Sequence, residues 1–206
     1  ANILFWMFFE QAGSSFSFLA EKIVDRDIGG WEFPIGWFQS VNPAAIVLIA
    51  PLMTIVWASL DRKGNEPSIP RKFSLGLLGN ALGFMLLMLA LTNMVDANNM
   101  IPLWPLALCY VVQTCGELCL SPIGLSMVTK LAPAHMVGAT MGAWFMSISL
   151  GNKLAGNLAA SISGKTGMTV ASALDGFSFS FYLLTGAAVV LFFLSPLINK
   201  LMHGVK

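Results

Sequence analysis

The chain has 206 residues, of which 56% are hydrophobic and only 10% charged, and its formal net charge is +1. A soluble domain carries about 25% charged residues, so this composition excludes a globular enzyme and points to a polytopic membrane protein. Near-neutral charge, with no basic patch carrying interleaved aromatics, also excludes a nucleic-acid surface.

Runs of about 20 apolar residues predict six membrane spans, near 2–20, 33–60, 73–95, 102–130, 137–163 and 176–200. The first opens almost at the first residue, so an upstream part is expected to be missing. No positively charged stretch with a cleavage site precedes it, and no signal peptide is expected. At 100° per residue, Trp6, Glu10, Ser14, Ser17 and Glu21 fall in one narrow sector. Lipid does not favour such a sector, so Glu10 is expected to face the bundle interior. The second span is about 28 residues, or roughly 42 Å at helical rise, and should tilt or project. Pro43 and Pro51 lie inside it, and Asn42 before Pro43 reads as a helix-start residue or a ligand contact. Gly79 and Gly83 in the third span, and Gly138 and Gly142 in the fifth, have the GxxxG spacing of close helix packing.

The fourth span is the most informative. Within ALCYVVQTCGELCLSPIGLSMVTKLAP (107–133) Glu117 sits near the middle. A carboxylate there costs about 2.5–3.5 kcal/mol on insertion scales and usually marks an ion or substrate pathway. A structural ion pair, a water-facing acid without function, and a soluble core helix are the alternatives. Ser121 lies four residues on, along the same face. Pro122 cannot donate to the carbonyl of Leu118, which with Gly124 makes the helix bendable beside its ionisable group. Cys109, Cys115 and Cys119 share this span and read as small packing residues. In the fifth span Trp144 reads as packing or as a pocket wall. Nine steps of 100° separate it from Lys153, which therefore points about 180° away, whereas Gly151 returns to within about 20° of Trp144. Lys153 is thus expected to be structural.

Loop charges orient the bundle. Arg62, Lys63, Arg71, Lys72, Lys130, Lys200 and Lys206 fall on one side; Lys22, Arg26 and Lys165 share the other with Glu21, Asp25, Asp27, Glu32, Asp96 and Asp175. The positive-inside rule places the first side, and both ends of the chain, in the cytoplasm. Trp31, Trp37 and Trp104 then lie at the outer boundary as an aromatic belt. The two histidines, His135 and His203, fall in cytoplasmic segments. Proton handling within the membrane would therefore rest on Glu10 and Glu117, which a moving cation can load and unload. No hydrolase, zinc-protease, P-loop or dinucleotide fingerprint is present, and no Cys/His cluster has metal spacing. Neither an enzyme, a cofactor nor a metal is expected.

The string GELCLSPIGLSMVTKLAP resembles the tenth membrane helix of the proton-dependent oligopeptide transporters, a branch of the major facilitator superfamily. FWMFFEQ (5–11), QSVNPAAIVLIAPL (39–52) and MGAWFMSISLGNKLAG (141–156) are similar to the same family, in family order. DRKG at 61–64 resembles the superfamily's short basic loop motif, a plain charged turn being the alternative. The resemblance implies an all-α membrane protein whose residues 1–206 form the C-terminal six-helix lobe of a twelve-helix transporter. The N-terminal lobe, with its ExxERFxYY motif, is absent from the sequence. It further implies proton-coupled symport of di- and tripeptides by alternating access in the plasma membrane, for which a bacterial inner membrane is expected. Protons are then the coupling ion, and the partners are peptides, lipid and the first lobe. By the same resemblance Asn42, Glu117, Ser121 and Trp144, and more weakly Trp6, line the peptide pocket. Glu117 attracts the peptide amino terminus. Glu10 matches the acid that pairs with a first-lobe arginine, so Glu10, Glu117 and Pro122 are the coupling and gating candidates. Glu21 is an outer-gate candidate or an exposed acid. The rival reading is a non-transporting six-helix module or subunit whose acids pair internally; a channel is a third, without a legible filter.

Overall fold

The computed structural model describes residues 1–164 and 167–202. Lys165, His203 and Lys206, which contribute to the loop-charge pattern, lie outside them. The described residues form helices joined by short 3-10 turns and loops: α1 (Asn2–Phe9), α2 (Ser15–Lys22), α3 (Phe38–Arg62), α4 (Ile69–Asn93), α5 (Trp104–Leu131), α6 (Val137–Ser163) and α7 (Val170–Leu201). Among the described residues there is no strand, only two isolated bridges, Val24 with Ile101 and Asp27 with Glu32. By length and composition, four segments are apolar enough to cross a membrane: Ile35–Arg62, Ile69–Asn93, Trp104–Leu131 and Val170–Leu201.

The first expected span is not one helix. It breaks into α1 and α2 around a 3-10 turn at Glu10–Gly13, followed by Ser14 at φ −129°, ψ −90°. Gly13, Ser14 and Ser15 are poor helix formers, and the Ser14 hydroxyl donates to the Glu10 carbonyl at 3.1 Å, a local bond that competes with the helical ladder. The single-sector argument for Trp6 through Glu21 therefore fails beyond Glu10, because a 3-10 turn advances about 120° per residue. The second span also starts later than expected. Pro34 is extended, Ile35–Trp37 is a 3-10 turn, and residues 23–33 form a loop. That loop is tied down by Asp25 N–H donating to Ile101 O at 2.8 Å and Ile101 N–H to Ile23 O at 2.7 Å. Arg26 pairs with Glu32 there. The sixth span begins earlier than expected, because Thr169 and Ser172 form a reciprocal capping box ahead of Val170.

The DRKG turn ends α3. Gly64 takes φ +68°, its N–H donates to Asp61 O at 2.8 Å, and Asn65 N–H donates to Leu60 O at 2.9 Å. These are the two bonds of a Schellman cap, which needs glycine at the left-handed position. Just beyond it Lys72, 7% exposed, pairs with Glu66 and lies over the Trp57 ring at 5.0 Å. This contact ties the end of α3 to the start of α4.

α4 is the spine, packing along both α5 and α7. It meets α5 through glycines. A Cβ on Gly79 would lie 2.7 Å from Gly116 Cα, and one on Gly116 would lie 2.7 Å from Gly76 O. Close backbone approach of this kind replaces the hydrophobic driving force that lipid removes. Gly79 and Gly83 thus pack as their spacing predicts, Gly79 against Gly116 and Gly83 against Gln113 and Cys109. Gly138 and Gly142 do not: nothing lies within 4 Å of a Cβ at either. Beside the spine, Phe8, Phe16, Phe84 and Phe177 interlock edge-on or tilted with centroids 5.6–5.9 Å apart, which adds about 0.5–1.5 kcal/mol per pair beyond burial. α1 packs on α6, where Gly151 admits Ile3 and Trp6. α3 lies mainly on α5 and leaves Val47, Leu48, Leu52 and Ile55 exposed.

Gly116→Ala should drive a methyl into the Gly76 carbonyl and lower stability by about 1–3 kcal/mol. Gly138→Ala, with open space, should be neutral or gain up to about 1 kcal/mol. Thermal unfolding of the detergent-purified variants reads the difference, and equal midpoints would show that the glycine contact does not hold α4 to α5.

Candidate functional site

The embedded carboxylates converge where the first helix breaks. On α5, Tyr110, Gln113, Thr114 and Glu117 fall on adjoining turns and look toward α3 and the 3-10 turn. Asn42 of α3 is the hub: its amide nitrogen donates to Glu117 Oε2 and to Thr114 Oγ1, both at 2.9 Å. The Thr114 hydroxyl in turn donates to Tyr110 O at 2.7 Å. Asn42 can hold this place because α3 starts at Phe38 rather than near residue 33, which puts Asn42 on its second turn facing α5.

Above this pair lies a small polar chamber of about 130 Å³, lined by Phe9, Glu10, Ala12, Gly13, Gln39, Asn42, Tyr110 and Gln113. Glu10 is half-buried on its wall and close enough to Glu117 for their charges to interact. The Tyr110 hydroxyl donates to Ala12 O at 2.8 Å, and Gln39 Nε2 donates to the same carbonyl at 2.7 Å. On the far side of the turn, fully buried Gln11 donates to Met7 O at 3.0 Å and Ala155 O at 3.1 Å, and accepts from the Ser15 hydroxyl at 2.7 Å. The turn is thereby pinned to α3, α5 and α6 at once.

The remaining expected site residues are spread along this wall. Ser121 is half-buried one turn below Glu117. α5 runs unbroken through Pro122, which borders a larger cavity of about 650 Å³ between α3, α4 and α5, lined among others by Trp57, Lys72, Leu118, Ser126 and Lys130. The Trp144 ring occupies the space left by Gly124 and meets Phe73 edge-on at 6.1 Å. Trp6 donates to Asn2 Oδ1 at 3.1 Å, and Asn2 donates to Ser147 Oγ at 2.7 Å. Trp6 and Trp144 thus lie on the α6 side, Asn42, Glu117 and Glu10 on the α3 side. Glu21 is exposed at the end of α2 and pairs with Lys22 at 3.0 Å, an exposed pair worth about 1 kcal/mol at most. Lys153 is exposed, while Trp144 and Gly151 share the packed face of α6, as the helix-face argument predicts.

Sequence reasoning missed Gln11, Gln39, Tyr110, Gln113 and Thr114. Three of them were within its reach: Thr114, Gln113 and Tyr110 stand three, four and seven residues before Glu117, the spacing of one helical face.

Asn42→Leu should strip Glu117 and Thr114 of their donor at a cost of about 1–3 kcal/mol. In a Glu117→Leu background the same change should cost about 0.5–3 kcal/mol less. Unfolding of the four proteins in detergent gives the coupling, and identical costs in both backgrounds would mean that the pair carries no stability.

The POT family model matches residues 1–173. The peptide transporter YePEPT of Yersinia enterocolitica is 44% identical over 154 residues, 74% of this chain and 30% of that protein. The dipeptide and tripeptide permease B of Xenorhabdus bovienii is 30% identical over 98% of this chain and 42% of its own length. A crystal structure of the peptide transporter POT in complex with sulfate superposes with a TM-score of 0.87 at 31% identity, covering 98% of this chain and 39% of that one. A POT family transporter in complex with 5-aminolevulinic acid gives 0.83 at 28% identity, over 96% and 39%. The chain therefore belongs to the POT family, a family of transporters rather than enzymes, and spans less than half the length of these relatives.

Proposed function

We propose that this member of the POT family forms the C-terminal six-helix lobe of a major-facilitator-type transporter that carries di- and tripeptides inward with protons. In this reading α1 and α2 together make one interrupted span and α6 another, which completes six with the four apolar segments. The basic side of the lobe, and both ends of the chain, lie in the cytoplasm of a bacterial inner membrane. An N-terminal lobe supplies the opposite wall of the cavity.

The observation that carries the reading is a polar chamber lined by Glu10 and Asn42, with Glu117 hydrogen-bonded to Asn42 beside it. Two embedded carboxylates in such a protein are rarely placed without an ion or substrate to serve. Glu117 would attract a peptide's ammonium group, with Asn42 and Ser121 hydrogen-bonding the ligand and Trp144 and Trp6 forming an aromatic wall that accepts varied side chains. Binding of the ammonium would exchange the Asn42 bond for a charge-assisted one. Glu10 would carry the proton and pair with a cation of the first lobe. Pro122 would let the cytoplasmic half of α5 bend toward the 650 Å³ cavity beside it. Glu21 would close the outer side. Relatives that are themselves named as peptide transporters and permeases weigh against a non-transporting module.

Glu117→Gln in the two-lobe transporter should weaken binding of a free-amino-terminus dipeptide by about tenfold or more, the value of a lost bond to a charged group. An N-acetylated dipeptide should lose much less. Competition binding measures both, and equal losses would mean that Glu117 does not read the amine.

A lobe alone offers one wall of a cavity. Proteoliposomes holding only this chain should therefore not accumulate labelled dipeptide under an imposed proton gradient, whereas the two-lobe protein should. Accumulation by the single lobe would sink the architecture.

A further inference from the structure

Gln113 is out of place as a packing residue. It is 1% exposed, yet its amide nitrogen is buried without any hydrogen-bond partner. Leaving such a donor unsatisfied costs about 1–3 kcal/mol, more than a leucine there would. Its position is tightly defined: on the α4 side, a Cβ on Gly83 would lie 2.6 Å from Gln113 Cγ and 3.2 Å from its Cδ. Gly83 is thus what makes room for the glutamine. Toward α3, Gln113 forms part of the wall of the 130 Å³ chamber that also holds Glu10. A buried water needs roughly 10–15 Å³ of such space and two to four polar partners. Glu10, Gln39, Asn42, Tyr110 and Gln113 supply those partners, and of the lining residues Gly13 and Gln39 are exposed.

We propose that this chamber is a built-in water site of the lobe, and that Gln113 is its positioning residue, its free amide donating to a buried water that hydrates the Glu10 carboxyl group. The inference rests on the reading of Glu10 as a proton carrier. Its chemistry balances simply. The Glu10 acid gives its proton to a chamber water, which passes one on toward exposed Gln39, and the carboxyl becomes a carboxylate; the reverse sequence reloads it. Glu10 is then served from within the lobe, without leaving the turn that Gln11, Gln39 and Tyr110 hold in place. The other titratable group on the chamber wall is Tyr110; Glu117 stands outside it, bonded to Asn42. Gln113 itself never changes protonation; it fixes where the water stands.

The test compares two transport modes of the two-lobe protein in proteoliposomes. Gradient-driven dipeptide accumulation requires proton release and uptake in every cycle. Counterflow, the exchange of labelled for unlabelled dipeptide, requires only the moving carrier. Gln113→Leu should preserve dipeptide affinity and counterflow within about twofold and lower gradient-driven accumulation by about tenfold or more. Gln113→Asn, which keeps an amide donor at this position, should recover part of the loss. Unchanged accumulation in Gln113→Leu, or an equal fall in counterflow and accumulation, would overturn the proposal. Absence of gradient-driven uptake in the unmodified protein would instead refute the proton-coupled reading itself. If Gln113→Leu does not fold, a high-resolution structure of the unmodified two-lobe protein decides the matter. An ordered water within hydrogen-bond distance of Gln113 Nε2 and Glu10 supports the assignment; a dry chamber refutes it.

Discussion

Inside a bilayer each backbone polar group must find its partner within the protein, and an interrupted helix makes that requirement acute. The break at Glu10–Gly13 releases carbonyls that an unbroken α1 would have used itself. Side chains take them up: Gln39 of α3 and Tyr110 of α5 share Ala12 O, and Gln11 of the turn itself bonds Met7 O while reaching Ala155 O of α6. Asn80 of α4 adds a bond to Phe5 O at 3.2 Å. Several of the buried polar residues, Gln11, Ser15, Gln113 and Thr114 among them, gather where the first helix breaks, and that gathering creates the chamber beside Glu10. Fold and site therefore share one cause: the same amides that make the break tolerable also furnish a polar wall.

Much of this was legible in the chain. Apolar runs marked the long helices to within a few residues, since α5 and α6 are bounded by prolines and short polar turns. The embedded Glu117 announced itself because an acid has few reasons to sit mid-span. The glycines of α4 advertised a close crossing, although their partner, Gly116, hides inside GELC where it looks like part of a motif. The break in the first span was harder, because hydropathy is blind to a change of helical pitch; the Gly13–Ser14–Ser15 triplet was the available sign. Asn42 stood out only through family resemblance, since an asparagine before proline usually marks a helix start. Gln11 and Gln39 stood only at the ends of the family-like strings FWMFFEQ and QSVNPAAIVLIAPL, with no sign of what they would bond. Their partners come from helices that the sequence alone does not bring together.

α5 has two unlike sides. Toward α4 it is locked by glycine contacts in which a single methyl group would collide with backbone, and Trp144 fills the space at Gly124. Toward α3 it faces open volume around Pro122. A packed interface resists continuous deformation, so any bending of this helix has one direction available to it. The carboxylate at Glu117 lies between these sides, within reach of both the fixed network and the region free to move.

α3 is held near its two ends: by the Gln39 and Asn42 amides and buried Phe38 at its start, and by the Trp57–Lys72–Glu66 contact at its end. Its lipid-like flank makes few other demands. During synthesis, at roughly 5–20 residues per second, the lower fastening can form as soon as α4 begins to emerge. At the upper end Gln39 can reach Ala12 O at once, but the Asn42 amide must wait until the whole of α4 and half of α5 have followed. For those seconds a membrane helix carries a naked amide, and the arrival of Thr114 and Glu117 completes its hold.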